Sequence, residues 1–113
     1  MLAGSRVVVV VPAFLEEAHV ANVIATMPSF VDSIVLVDDG SVDRTSERAR
    51  SVGDTRLYIE RHPQRRGVGA ALTTGYRRAL MLTERPTDAL CVMAGDGQMR
   101  PDELEAVALP VVR

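Results

Sequence analysis

Four short apolar runs punctuate the chain, at residues 7–11, 34–37, 57–59 and 89–93, and none of them alternates apolar with polar positions. Uninterrupted runs of this length, rich in β-branched residues, are expected of strands covered on both faces. Between them the apolar period becomes helical. Over residues 67–82, Val68, Ala71, Leu72, Gly75, Tyr76, Ala79 and Leu80 recur on one side while Arg77 and Arg78 fall on the other, which predicts a helix lying on the sheet. Residues 16–27 place Val20, Val23, Ile24 and Met27 on one face before Pro28 stops the pattern. Residues 43–52 form a weaker helix, with Asp43 as N-cap and Gly53 as C-cap. A last stretch, 101–109, begins another helix with Pro101 at its first position and acids in the first turn. Strand and helix therefore alternate, and such alternation implies parallel strands joined by right-handed crossovers. No repeat, low-complexity tract or linker divides the chain, so residues 1–113 read as one α/β domain.

Each apolar run ends in residues that are polar and chemically useful. In an open parallel sheet ligands sit beyond the carboxyl ends of the strands, so acids after the second and fourth runs can converge on one ligand. After the second run, Asp38-Asp39-Gly40-Ser41 reads either as a solvated turn or as a carboxylate reaching a ribose hydroxyl or a base N–H. After the fourth, Asp96 and Gln98 are two apart and share a side if the backbone stays extended. Their oxygens suit Mg²⁺ or Mn²⁺ held jointly with phosphates; the plainer reading is a Gly-rich turn before Pro101. Glu16, after the first run, either caps a helix or reaches a nucleoside. Arg65-Arg66-Gly67-Val68-Gly69 offers N–H groups and two guanidinium groups to an anion, or glycines that let a helix approach a strand. It is not a dinucleotide fingerprint, because the third small residue is missing and the motif comes after the third strand. His19 and His62 stand alone and read as surface or loop residues.

Composition narrows the chemistry. A formal charge of −2 gives no basic patch for nucleic acid. The 13 cations are all arginine, which removes Schiff-base chemistry, the P-loop lysine and the lysine of a phospho-receiver domain. Cys91 has no partner and reads as a small buried hydrophobe in a reducing compartment. The stretch before Pro12 fits neither a signal peptide nor a membrane span, so a cytoplasmic location is expected, with membrane association of a full-length protein left open.

Taken together, Val-Pro-Ala-Phe-Leu-Glu-Glu (11–17), Val-Asp-Asp-Gly-Ser-Val-Asp-Arg-Thr (37–45), Arg-Gly-Val-Gly-Ala-Ala (66–71) and Gly-Asp-Gly-Gln-Met-Arg-Pro (95–101) resemble the family 2 glycosyltransferases, nearest the polyprenyl-phosphate (dolichol-phosphate) sugar transferases. The resemblance implies a GT-A fold, whose nucleotide-binding half is a Rossmann-like parallel sheet of about four strands in the order 3-2-1-4 with helices on both faces. It also implies a nucleotide-sugar donor of the UDP or GDP type, a divalent metal and a lipid-phosphate acceptor. Carried over by position, Pro12, Phe14 and Glu16 would line the nucleoside pocket. Val37 and Asp39 would contact base or ribose, Ala94, Gly95 and Asp96 would lie along ribose and diphosphate, and Asp96 and Gln98 would hold the metal. The chain departs from the family pattern at Leu15, where Asn is common, at Phe14 for Tyr, Val42 for Thr, Arg65 for Asn and Arg100 for Asp, and at Ala94, where many members place the first acid of Asp-x-Asp. The family's acceptor segment and catalytic base are expected after Arg113, so no general base is assigned.

A reading of another class remains open at this level, a non-catalytic nucleotide-binding or assembly module kept from the same fold. A phospho-receiver domain and a nucleotidyltransferase each explain only some of the four motifs. With strand order 3-2-1-4 the fourth strand, carrying Leu90, Cys91, Val92 and Met93, is an edge, and an unguarded apolar edge predicts a homo-oligomer.

Overall fold

The computed structural model describes residues 4–83 and 89–93. Strands β1 (Val7–Ala13), β2 (Ser33–Asp38), β3 (Leu57–Arg61) and β4 (Ala89–Val92) alternate with helices α1 (Val20–Ala25), α2 (Thr45–Ser51) and α3 (Val68–Leu82). All pairings are parallel and the order is β3-β2-β1-β4, as the resemblance implied. The first three strands extend one or two residues past their apolar runs, because ladder hydrogen bonds continue past the last hydrophobic side chain. Helices α1 and α2 are shorter than the periodicity suggested; residues 16–19 close a turn in which Glu16 C=O accepts from the His19 and Val20 N–H groups. The expected 101–109 helix lies outside the described residues.

Alternation along the central strands divides the core in two. Val7, Val9, Val11, Ile34, Leu36, Cys91 and Met93 face one side, where Val20, Val23 and Ile24 of α1 and Ala49 of α2 cover them. Val8, Val10, Val35 and Val37 face the other, against Ala71 and Ala79 of α3. The division is a consequence of topology. Two successive crossovers step the same way, from β1 to β2 to β3, and put α1 and α2 on one face; the reversal to β4 puts α3 on the other. Each valine taken fully out of water contributes on the order of 1.5–3 kcal/mol.

Helix α3 lies close to the sheet because its contact positions are small. A Cβ on Gly75 would collide with Val10 Cγ1 and meet Val37 Cγ2 at 3.2 Å. Its buried residues are Ala71, Gly75 and Ala79 alone, which corrects the wider stripe expected from the sequence: Val68 is 69% and Leu80 62% exposed, and Tyr76 is also exposed. A helix seated on small residues cannot turn its larger apolar neighbours under itself. Arg78, expected to face away, instead lies over the Tyr58 ring of β3, 5.1 Å from its centroid, with Nε 3.6 Å from Glu60. Cys91 is buried as expected, and burial pushes its thiol pKa up. Among the described residues no helix is long and apolar enough to cross a membrane.

Candidate functional site

The register sets the site. Ala13 is opposite Asp38, and Asp38 opposite Arg61, so the next residues out, Phe14, Asp39 and His62, form one row just past three carboxyl ends. Asp39 N–H donates to Ala13 C=O and His62 N–H to Asp38 C=O, both at 2.9 Å, which carries the ladder into that row. Because side chains alternate, the adjacent acids part: Asp38 shares the side of Leu36, toward α2, and Asp39 the side of Val37, toward α3.

Asp38 holds the loop that comes after it. Its Oδ1 accepts from Ser41 N–H at 2.9 Å and its Oδ2 from the Ser46 hydroxyl on α2. The same loop then grips the β1–α1 connection. Leu15 N–H donates to Ser41 Oγ at 2.9 Å, Glu16 N–H to Thr45 Oγ1 at 3.0 Å and Glu17 N–H to Asp43 Oδ2 at 3.4 Å. Leu15 is thereby held at φ 54°, a left-handed conformation unusual for a γ-branched side chain. Asp43 also accepts from Thr45 N–H at 3.1 Å, so it caps the start of α2 from one residue before the N-cap position. Burial pushes the Asp43 carboxyl pKa up, but the bonds from Thr45 and Glu17 outweigh that and leave it lowered.

Asp39 ties β2 to the start of α3. Its Oδ1 accepts from His62 Nδ1 at 2.8 Å and from Arg66 N–H at 2.9 Å, and its Oδ2 from Gly67 N–H at 2.9 Å. The anion expected at the Arg65–Gly69 motif is thus in part the chain's own carboxylate. Burial raises the Asp39 pKa, yet hydrogen bonds from His62, Arg66 and Gly67 and the nearby imidazole together lower it below the ordinary aspartate value. His62 is not the surface or loop histidine expected; only 5% exposed, it bridges Asp39 and Thr74 of α3, whose Oγ1 lies 2.7 Å from Nε2. The signal that finds it is β3's length: a strand ended at residue 59 leaves His62 adrift in a loop, whereas one running to Arg61 puts it beside Asp39.

Pro12, Ala13, Phe14, Asp39, Arg65, Val68 and Ala71 line a cleft of about 180 Å³ at these strand ends. The Arg65 guanidinium covers the Phe14 ring at 4.2 Å from its centroid, a cation–π contact at the cleft wall. Of the nucleoside residues named from the sequence, Pro12, Phe14 and Asp39 come together here. Val37 is wholly buried in the core beneath, and Glu16 points to His19, with Oε2 3.2 Å from Nδ1. Ala94, Gly95, Asp96 and Gln98 lie outside the described residues. Arg65, Ala13 and Val68 join the wall without having been assigned to the nucleoside. A larger cleft of about 360 Å³ lined by Arg50, Asp54, Leu57 and Ile59 opens at the other end of the sheet, where the Asp54 carboxylate is taken up by Arg56. Among the described residues no group of three or more His, Cys, Asp or Glu could hold a metal ion.

Known proteins are similar to this chain in sequence and fold. Residues 8–113 match the family model for glycosyl transferase family 2. An uncharacterized protein of Methanocaldococcus jannaschii is 37% identical over 108 residues, covering 95% of this chain and 42% of its own length. The UDP-N-acetylglucosamine–dolichyl-phosphate N-acetylglucosaminyltransferase of Methanococcus voltae is 27% identical over 126 residues, covering 98% of this chain and 49% of its own. The chain therefore spans less than half of either relative. Glucosyl-3-phosphoglycerate synthase of Mycobacterium tuberculosis superposes with a TM-score of 0.62 at 30% identity, over 83% of this chain and 36% of that one. Its structures include a complex with Mn²⁺, uridine diphosphate and glucosyl-3-phosphoglycerate. With the family model matched along nearly the whole chain and the parallel 3-2-1-4 sheet in place, this chain belongs to glycosyl transferase family 2 and carries the four-stranded parallel sheet of the GT-A fold.

Proposed function

We propose that residues 1–113 are the donor-binding portion of an enzyme that transfers a sugar from a nucleoside-diphosphate sugar to a lipid phosphate of the polyprenyl class. The observation that carries this reading is the cleft at the strand ends, where an aromatic ring under a guanidinium faces a fixed, ionised carboxylate. Its 180 Å³ is well below the roughly 300–1,000 Å³ of a complete small-molecule site, which suits a base and not a whole donor. A carboxylate has about four acceptor directions. Among the described residues three of those on Asp39 are filled, and one on Oδ2 has no donor. That lone pair calls for an N–H or O–H: the imide of uracil, N1–H of guanine or a ribose hydroxyl. Where the contact is to the base edge, cytosine, which presents an acceptor at the matching ring position, is disfavoured; a ribose contact leaves the bases alike. The mycobacterial neighbour crystallised with UDP-glucose and Mn²⁺, and the dolichyl-phosphate transferase of Methanococcus voltae, support the donor and acceptor classes.

The family resemblance assigns the divalent ion, Mg²⁺ or Mn²⁺, to Asp96 and Gln98 with the donor's own phosphates, and their oxygen donors suit such an ion. Bound there, it would supply charge stabilisation to the departing diphosphate. The described residues contribute binding and orientation: the stacked Phe14 and Arg65 form one wall against the base, and Asp39 fixes its edge. Calorimetry with UDP, GDP, CDP and NAD, each with Mn²⁺ and with chelator, tests the reading. Binding of UDP or GDP above CDP, weakened by chelator, is expected; binding of NAD alone would overturn it, and equal affinity under chelator would remove the metal.

A further inference from the structure

His62 is the polar residue that the cleft leaves unused. It is buried, it does not line the cleft, and in the row of Phe14, Asp39 and His62 it is the member that falls outside the four motifs. An ionised carboxylate can only accept, so Nδ1 carries the proton toward Asp39. In the neutral ring Nε2 then accepts from the Thr74 hydroxyl, giving one directed chain from Thr74 O–H through the imidazole to Asp39 Oδ1. This chain joins three elements, α3 through Thr74, β3 through His62 and β2 through Asp39. Arg66 and Gly67 N–H approach the same carboxylate along the backbone. Arg66 and Gly67 belong to the loop before α3 and hold the carboxylate only as firmly as that loop is itself held; the imidazole, carried past the end of β3 and braced by Thr74 of α3, ties Oδ1 to the sheet and so sets where the open lone pair of Oδ2 points.

We propose that His62 is a positioning residue for nucleotide binding, acting through Asp39 and braced by Thr74. The role rests on the donor-binding function proposed for this chain, since it is the Asp39 carboxylate, aimed at a ligand donor, that His62 orients. Preorganisation of this kind raises affinity by removing an ordering cost from binding.

The test uses the 113-residue chain and UDP with Mn²⁺ as the probe, comparing His62→Leu, His62→Asn and Thr74→Val. His62→Leu keeps the volume and removes both nitrogens; His62→Asn restores one N–H toward Asp39. Loss of one charge-assisted hydrogen bond predicts UDP binding weakened by about tenfold in His62→Leu, with His62→Asn recovering most of it and Thr74→Val losing about threefold. Amide exchange at Arg66 and Gly67 provides a second reading, faster in His62→Leu and slowed again in His62→Asn, with circular dichroism confirming that each variant is folded. If folded His62→Leu binds UDP as the unaltered chain does, the positioning role is overturned while the proposed function stands. If His62→Asn is as weak as His62→Leu and its amides are no better protected, His62 serves packing alone and the role is again overturned. If the unaltered chain binds GDP and not UDP, the same comparison is read with GDP; if it binds neither, the proposed function falls and this role falls with it.

Discussion

The two ends of the sheet use the same ingredients to opposite effect. At the amino end, the Arg56 guanidinium donates to the carbonyls of Pro28 (2.8 Å), Val31 (3.0 Å) and Met27 (3.3 Å) and to both oxygens of Asp54, closing the α1–β2 connection over the strand starts. Cation, carboxylate and carbonyls satisfy one another there. The pairing lowers the Asp54 pKa, and the same bonds raise that of Arg56. At the carboxyl end the carboxylates are held by backbone N–H groups, hydroxyls and an imidazole, and the arginines, 61, 65 and 66, are exposed, with Arg61 Nε 3.9 Å from Asp38 Oδ2. Asp39 there keeps an acceptor to spare and fronts a cleft. Folding alone asks only that buried polar groups be paired; an end whose Asp39 is met by backbone and imidazole N–H groups and still keeps an acceptor direction open is one that can bind.

The sharpest way to break the carboxyl end is at Gly40, which turns the chain at φ 74° with its α-carbon against Gln64 and Arg65. A Cβ would strike the Gln64 carbonyl carbon and the Arg65 nitrogen, so Gly40→Val combines left-handed strain with a backbone collision. We expect a loss of about 3 kcal/mol or more in urea unfolding, together with loss of UDP binding. A loss under about 1 kcal/mol would mean that the two loops are not interlocked as described.

Next in size, Asp39→Ala leaves His62, Arg66 and Gly67 without their acceptor. It should cost about 2–3 kcal/mol and abolish UDP binding. Arg56→Met is its counterpart at the amino end: about 1–2 kcal/mol lost, because water can reach the freed carbonyls, and UDP affinity unchanged. Equal effects of the two variants on binding, measured by calorimetry, would erase the functional difference between the ends.

Acid should act on both ends. The carboxyl pKa values of Asp39, Asp43 and Asp54 are lowered in the folded chain, so the unfolded chain binds more protons as pH falls. Their contribution to stability is complete above the ordinary carboxylate range and is lost as pH drops from about 5 through the lowered values. Urea midpoints measured down that range should fall progressively. Asp54→Asn should flatten part of the slope without touching UDP binding, whereas a slope unchanged in that variant would place the acid sensitivity elsewhere.

The smallest effect is a gain. Leu15 holds a left-handed backbone that Asn tolerates better, and its side chain is exposed. Leu15→Asn should add about 0.5–1 kcal/mol and raise the melting temperature by a few degrees, with the β1–α1 loop otherwise unmoved. A lower melting temperature would show that the leucine side chain is held by packing that outweighs its backbone strain.

The sequence by itself determined the alternation of four strands with three helices and their parallel sense, because unbroken valine and isoleucine runs lie between helical periods, and its four motifs carried the family resemblance, which brought the strand order with it. The family resemblance named Pro12, Phe14 and Asp39 as nucleoside residues, and strand ends of a parallel sheet do bring such residues to one edge. Tertiary structure alone decided how that edge is wired. Whether Asp38 or Asp39 faces the cleft depends on strand parity, which a one-residue change of boundary would invert. His62 reads as an isolated histidine until β3 is extended to Arg61 and laid beside β2 in register, and Val68 and Leu80 read as core until Gly75 brings α3 too near the sheet to bury them. Periodicity along a chain reports which residues can share a face; only packing between elements, at ångström separations, selects which of them do.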